Sequence, residues 1–410
     1  MAEPTNTPMP ASTPVPGSSP RSTSPVHPPI PSLAPNGMTV VLPAVSSPEK
    51  PIVLHIGDPI KYNPDTYVEF STAFRVIRPS AEERERSAFI QALLERRWGD
   101  FQAIFRPFWG TGGEMGRWDA ELIDLLPNSV KVFASAGAGF DWADTRLLGE
   151  KGIIYCNSGL AAAEAVADFA VAMVISTFRH LPWCMSAATT ASASTAQAQR
   201  IFQACHANAT AVSHNPRNHN LGLIGMGNIG QHIAAKLGCS AFGMRVHYHD
   251  VIRKSTALEK ELGATFHETL GDLLRVSDCV VLCTPASTDG KPLITRQTLA
   301  ELKAGSRFVN IARGSLVDEE ALADALDSGH VHAAALDVHA SEPSVNPRLL
   351  EMAGIEGKTP GRVMLTCHNA GGTVETHIGF EELSMRNIMA VLGGKEAITP
   401  VNLHWLKKRG

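Results

Sequence analysis

Short apolar runs recur along the second half of the chain, at Leu221–Met226, Met244–His249, Cys279–Cys283, Phe308–Ile311, Ala333–Val338 and Val363–Thr366. They lack the strict alternation of a strand with one wet face. Amphipathic stretches with helical spacing lie between several of them, at Asn228–Leu237, Glu268–Val276, Thr298–Leu302 and Asp318–Leu326. Strands apolar on both faces and separated by helices predict a parallel sheet covered on both sides. Upstream, Ile52–Ile56, Val130–Ser135 and Ile153–Cys156 predict strands in a weaker version of the same pattern.

Three segments depart from that pattern. The longest apolar stretch, Leu160 to Phe178, is interrupted by Glu164 and Asp168, which predicts a packed helix and no membrane span. Residues 186–218 are rich in Ala, Ser, Thr and Asn and contain Pro216, which predicts an irregular surface excursion. Residues 1–49 predict a disordered tail: 13 of the 27 prolines fall before residue 49, among Ser and Thr, and little apolar surface is available to offset ordering entropy. The tail has one arginine, Arg21, unlike an Arg-rich transit peptide, and no apolar core of a secretion signal.

Composition narrows the class. The 410 residues carry 36 Lys plus Arg against 40 Asp plus Glu, so nothing points to nucleic acid or anionic lipid as main partner. The length predicts two domains. Seven scattered cysteines without a CxxC pair argue against a disulfide framework or zinc knuckle, and for a reducing, cytoplasmic compartment. His247 and His249 share a strand face, where packing is a simpler reading than metal binding, and no metal is expected.

The stretch Leu221-Gly-Leu-Ile-Gly-Met-Gly-Asn-Ile-Gly230 places Gly225, Gly227 and Gly230 in the GxGxxG spacing. It follows an apolar strand and opens a helix, and Asp250 stands 20 positions past the last glycine, after the next strand. That context predicts a dinucleotide site, with the pyrophosphate on the N–H groups where the helix starts, at Asn228 and Ile229. Asp250 would accept from the ribose hydroxyls and repel a 2′-phosphate, so NAD is expected. Arg253 and Lys254 offer cations to such a phosphate, which keeps NADP as the alternative.

Ligands of open parallel sheets sit beyond the carboxyl ends of the strands. Arg313, Glu342 and His368 stand just past three successive predicted strands. A cation, a carboxylate and an imidazole are what hydride transfer to a keto acid needs beside a nicotinamide. They hold and polarise the substrate, tune the acid and deliver the proton.

These motifs resemble the D-isomer-specific 2-hydroxyacid dehydrogenase family over roughly residues 130–400. The pieces are the glycine loop, Asn310-x-Ala-Arg-Gly-x-x-Val-Asp318, Leu336-Asp-Val-x-x-x-Glu-Pro343 and His368-x-Ala-Gly371 with Thr373. Upstream are Ser135-Ala-Gly-Ala-Gly-Phe-Asp141, Gly152-Ile-x-x-x-Asn157 and Val166-Ala-Asp168. The wording is most similar to fungal members grouped with glyoxylate and hydroxypyruvate reductases. The resemblance implies two Rossmann-like α/β domains. A cofactor domain, residues 158–366, would be inserted into a flavodoxin-like substrate domain made of 50–157 and 367–410. It implies that Arg313 and the Ala138 and Gly139 amides bind the substrate, that His368 is the acid–base, and that Glu342 favours its protonated form. Asp337 would meet the nicotinamide carboxamide. Thr284, Pro285, Ile311, Ala312 and Gly371 would line the cofactor cleft, with Arg313 and His368 bordering it. A homodimer is also implied.

The chain departs from the family at Cys367, where many relatives have Pro, and at Asp168, where many have Glu. The loop Phe108–Trp118 matches poorly, which leaves the substrate open. The expected reaction is reduction of a small 2-keto acid such as glyoxylate or hydroxypyruvate to a D-2-hydroxy acid. Its alternative is an NAD(H)-sensing, corepressor-like binding protein on the same fold.

Overall fold

Two parallel sheets carry the chain. The computed structural model describes residues 49–108, 110–190, 195–287, 290–353 and 361–407, so the tail expectation lies outside them but for Glu49. The first sheet holds β1 (Ile52–His55), β2 (Arg75–Ile77), β3 (Ala103–Arg106), β4 (Val132–Ser135) and β5 (Ile154–Cys156), in the order β2-β1-β3-β4-β5. The second holds β6 (Asn220–Ile224), β7 (Arg245–His249), β8 (Ala264–Phe266), β9 (Cys279–Leu282), β10 (Ser306–Asn310), β11 (Val331–Leu336) and β12 (Val363–Leu365). Its order is β12-β11-β10-β9-β6-β7-β8. Every pairing between these strands is parallel. The first order is that of flavodoxin, and the second is the dinucleotide-binding order with one strand added. The expected class, α/β with two parallel-sheet domains, is what forms.

The strands buried on both faces are those that read as continuous apolar runs. β9 and β10 are buried at every position. The helix Gly159–Arg179 packs its alanines and Val166, Met173 and Phe178 against β10, β11 and β12 and against the helices Asn228–Gly238 and Val374–Leu392. Its apolar length is thus used inside the fold. The helix Val374–Leu392 also lies on β3 and β4 of the first sheet. Beyond it, Asn402 is fully buried against β5: its side chain accepts from the Tyr155 N–H and donates to the carbonyls of Ile153 and Thr145. Asn402 thus closes the edge of the sheet in which β1 lies.

The expectation for residues 186–218 is corrected. Leu181–Thr190 and Thr195–Val212 are helices, packed on each other around Ala187, Cys205 and Ala209. Their Ala- and Gln-rich composition blurs hydrophobic periodicity but favours helix intrinsically.

Candidate active site

The glycine loop leaves β6 at the point where strand order reverses, beside the end of β9. Gly225 has φ +101°, and a Cβ there would stand 2.8 Å from the Cys283 carbonyl oxygen, so only glycine makes this turn. Gly230, inside the helix Asn228–Gly238, faces the Gly225 carbonyl so closely that a Cβ would overlap it. At Gly227 the space a Cβ would take is open, and Gly227 caps the helix without a side-chain hydrogen bond. The N–H groups of the first turn, Asn228 and Ile229 among them, thus face an approachable surface. The cradle fits a pyrophosphate.

Asp250 follows β7. Its carboxylate accepts from the Met226 N–H at 2.8 Å and the Ile252 N–H at 3.2 Å, and Lys254 pairs with it at 3.2 Å. Burial works to raise this carboxyl, but the two N–H groups and Lys254 outweigh it and hold it below its ordinary value. Arg253 makes two 2.9 Å bonds to Glu259 and stacks on Phe266. Both cations read as holders of a phosphate are therefore engaged with carboxylates of the chain.

β10, β11 and β12 are neighbours, and Arg313, Glu342 and His368 follow their carboxyl ends in that order. The Asn310 side chain staples the first of these turns, donating to the Arg313 carbonyl and accepting from the Ala312 N–H. The Arg313 guanidinium reaches the first domain, where its Nε donates to Asp141 Oδ1 at 3.0 Å. Its Nη2 end packs against Gly139, where a Cβ would overlap it. The Ala138–Gly139 loop is itself held by the Asn157 side chain, which donates to the Ala138 carbonyl at 2.8 Å. Asp141 lies inside a quoted motif, but nothing in the sequence marks it as the partner of Arg313.

His368 has φ +54°, a left-handed conformation that a non-glycine residue holds only under constraint. Asp337, 1% exposed, supplies the constraint. Its carbonyl accepts the His368 N–H at 2.7 Å, and its carboxylate accepts from the N–H groups of Asn369 and Ala370 and from Thr366 Oγ1. Three of about four acceptor positions on Asp337 are thus occupied within the chain, which leaves one for a carboxamide. The His368 Nδ1 stands 2.8 Å from Glu342 Oε2, and Glu342 Oε1 accepts the His339 N–H at 2.9 Å. Burial pushes Glu342 up, but the hydrogen bonds from His368 and the His339 N–H outweigh it and keep the carboxylate charged to lower pH than usual.

Ile311 and Ala312 are buried under the Arg313 turn. Thr284 and Gly371 are half-buried, and Pro285 is exposed beyond β9. Asp168 pairs with Lys236 at 2.8 Å. His247 meets His267 at 3.0 Å through ring nitrogens, and His249 meets the His267 carbonyl. Within the Phe108–Trp118 loop, Glu114 accepts from Nε and Nη2 of buried Arg84, and Trp118 is fully buried in the first domain's core.

A dinucleotide cradle beside a cation, a paired imidazole and a carboxylate defines a nucleotide-dependent oxidoreductase. The family profile described as D-isomer specific 2-hydroxyacid dehydrogenase, NAD binding domain, matches residues 172–370. The chain is 32% identical to 4-methyl-2-oxopentanoate reductase A of Aspergillus oryzae, over 77% of this chain and 88% of that protein. It is 32% identical to a glyoxylate reductase of Thermococcus kodakarensis, over 72% and 82%. The holo structure of Rhodotorula graminis D-mandelate dehydrogenase superposes with a TM-score of 0.79 at 39% identity, covering 86% of this chain and 98% of that one. The chain belongs to the D-isomer specific 2-hydroxyacid dehydrogenase family. It is an NAD(P)-dependent oxidoreductase acting on CH–OH donors, reducing a 2-keto acid to a 2-hydroxy acid.

Proposed function

We propose that the chain reduces a small 2-keto acid, of the glyoxylate or hydroxypyruvate kind, with NADH. When bound, the reduced nicotinamide supplies the hydride. Arg313, with the Ala138 and Gly139 amides, holds the substrate carboxylate and polarises its carbonyl. His368 gives its proton to the carbonyl oxygen as the alkoxide forms. Glu342 holds the imidazole in place through Nδ1, so that the other ring nitrogen is turned toward the substrate. Asp337 positions His368 and offers its remaining acceptor site to the cofactor carboxamide.

The observation that carries this reading is the 2.8 Å His368–Glu342 contact beside a turn that places Arg313 over Gly139. Preference for NADH is supported by Asp250 at the end of β7 and by the engagement of Lys254 and Arg253 with Asp250 and Glu259. A homodimer is supported by exposed Leu181, Met185 and Phe202 on the helical hairpin. A cytoplasmic location is supported by seven cysteines, all free.

Steady-state reduction of glyoxylate, hydroxypyruvate, 4-methyl-2-oxopentanoate and phenylglyoxylate, each with NADH and NADPH, tests the reading. The expected result is turnover of the two small acids with NADH ahead of NADPH. Faster turnover of the bulky acids would overturn the substrate, and NADPH preference would overturn the cofactor.

A further inference from the structure

The Ala138 and Gly139 amides and Asp141 sit on the loop that follows β4, and one buried side chain from the neighbouring strand braces that loop. Arg106 ends β3, paired in register with Ser135 at the end of β4. It is 7% exposed. Its Nη1 donates to Ser135 Oγ at 3.3 Å, and its own carbonyl accepts the Ala136 N–H at 2.7 Å. Ser135 Oγ in turn donates to the Ala136 carbonyl at 3.1 Å. The Arg106 Nε donates to the Gly112 carbonyl at 3.1 Å, within the Phe108–Trp118 loop. The guanidinium lies over the ring of Trp142, 4.7 Å from its centroid, and Trp142 adjoins Asp141, the acceptor for Arg313.

We propose that Arg106 is a positioning residue for the substrate, fixing the backbone that presents the Ala138 and Gly139 amides to the substrate carboxylate. The inference rests on the assignment of those amides to the substrate. The segment Ser135-Ala-Gly-Ala-Gly139 has no side chain larger than that of serine with which to pack itself, and Gly137 has φ +92°. Its shape is therefore imposed by its neighbours. The middle of the segment is held by the residues that follow β5: the Ser158 N–H donates to the Gly137 carbonyl at 2.9 Å, and the Asn157 side chain to the Ala138 carbonyl. Its start is held by Arg106. A planar guanidinium reaches acceptors on two different loops while its face covers Trp142. An ammonium carries the same charge without the fork or the face. The position keeps a cation although burial disfavours its charged form. Loss of the fork loosens the amides that meet the carboxylate, so substrate affinity falls. The dinucleotide cradle, built on β6 of the second sheet, is untouched.

The test reads substrate binding apart from turnover: the NADH complex is titrated with oxamate, a carboxylate of keto-acid shape that accepts no hydride, and followed by cofactor fluorescence. Arg106→Lys keeps the charge and should weaken oxamate about tenfold, the scale of one charge-assisted hydrogen bond. KM for glyoxylate should rise by a similar factor with kcat little changed, because the carboxylate is held equally before and during hydride transfer. NADH affinity should stay that of the parent. Ser135→Ala removes one acceptor, leaves the cation in place, and should weaken oxamate about threefold. In Arg106→Ala, added methylguanidinium should recover part of the oxamate affinity, and methylammonium should not. A merely structural role would lower the melting temperature of these variants and leave oxamate affinity and KM where they were, and that result would overturn the inference. Equal rescue by the two cations would overturn the part given to the planar fork. Arg313→Ala separates this failure from that of the site itself. It should abolish oxamate binding, and unchanged binding there would overturn the substrate assignment on which the inference rests.

Discussion

Asp141 accepts the Nε proton of Arg313 at 3.0 Å, across 172 positions of sequence and from one domain to the other. The guanidinium is thereby fixed through Nε, its Nη1 donates to the Ala312 carbonyl, and its Nη2 end packs on Gly139. A carboxylate ligand then meets a cation whose orientation is already set. That preorganisation lowers the entropy to be lost on binding.

Asp141→Asn keeps the volume and removes the charge. Arg313 and Asp141 are 24% and 48% exposed, so solvent screens their attraction and the effect is moderate. The KM for the keto acid should rise about two- to fivefold. Fluorescence titration should show NADH affinity unchanged, because Asp141 belongs to the first domain's loop.

His368→Ala should reduce turnover roughly 10²- to 10⁴-fold while leaving NADH binding intact. Glu342→Gln removes the carboxylate that orients the imidazole through Nδ1. Turnover should fall about 10²-fold with NADH affinity unchanged. Turnover equal to that of the parent protein would remove Glu342 from the mechanism.

Asp250→Ser removes the carboxylate facing the cofactor's ribose side and frees Lys254 from its ion pair. Specificity measured as kcat/KM should move toward NADPH by about tenfold, or about 1.4 kcal/mol. Lys254→Ala added to this variant should cancel most of the gain.

Two buried histidines, His55 and His180, and the half-buried His332 predict how stability depends on pH. Burial lowers His55, whose ring meets that of Phe105 at a tilt, from 6.5 to about 3. His180 and His332 share a 3.1 Å ring–ring hydrogen bond and are each lowered to about 4, by burial first and by nearby cations next. The unfolded chain binds protons at these sites before the folded one does, so acid favours unfolding. Their contribution is complete above the unfolded value of 6.5 and is lost as pH falls toward the folded values. Melting temperature should therefore drop steadily from about pH 7 to about pH 5, and His55→Phe should flatten part of that slope.

The readable parts of the sequence were those where backbone geometry or solvation dictates residue type. Gly225 and Gly230 are glycines because a carbonyl occupies the space a side chain would fill. Arg313, Glu342 and His368 stand out because charges rarely gather at the ends of apolar strands. The sequence does not show β2, β3 or β8: β2 and β8 are three residues long and only half-buried, and β3 is a buried run of four that ends in Arg106. The hairpin was missed because its alanines carry helix propensity without a polar–apolar rhythm. In the sequence Arg253 and Lys254 stand close enough to Asp250 to offer cations to a phosphate. Their pairing with Glu259 and Asp250 is set by how the chain turns after β7, which local composition does not specify.

Asn402 has a consequence for biosynthesis. The strand it satisfies, β5, emerges from the ribosome some 250 residues ahead of it, with the Tyr155 N–H and the Ile153 carbonyl lacking this partner. During that interval the second sheet is synthesised whole, while the first waits for its closing helix and its last clasp. The nascent chain is thus expected to mature from its middle outward, and a ribosome stalled just short of Asn402 would hold a finished nucleotide cradle tethered to an unfinished substrate half.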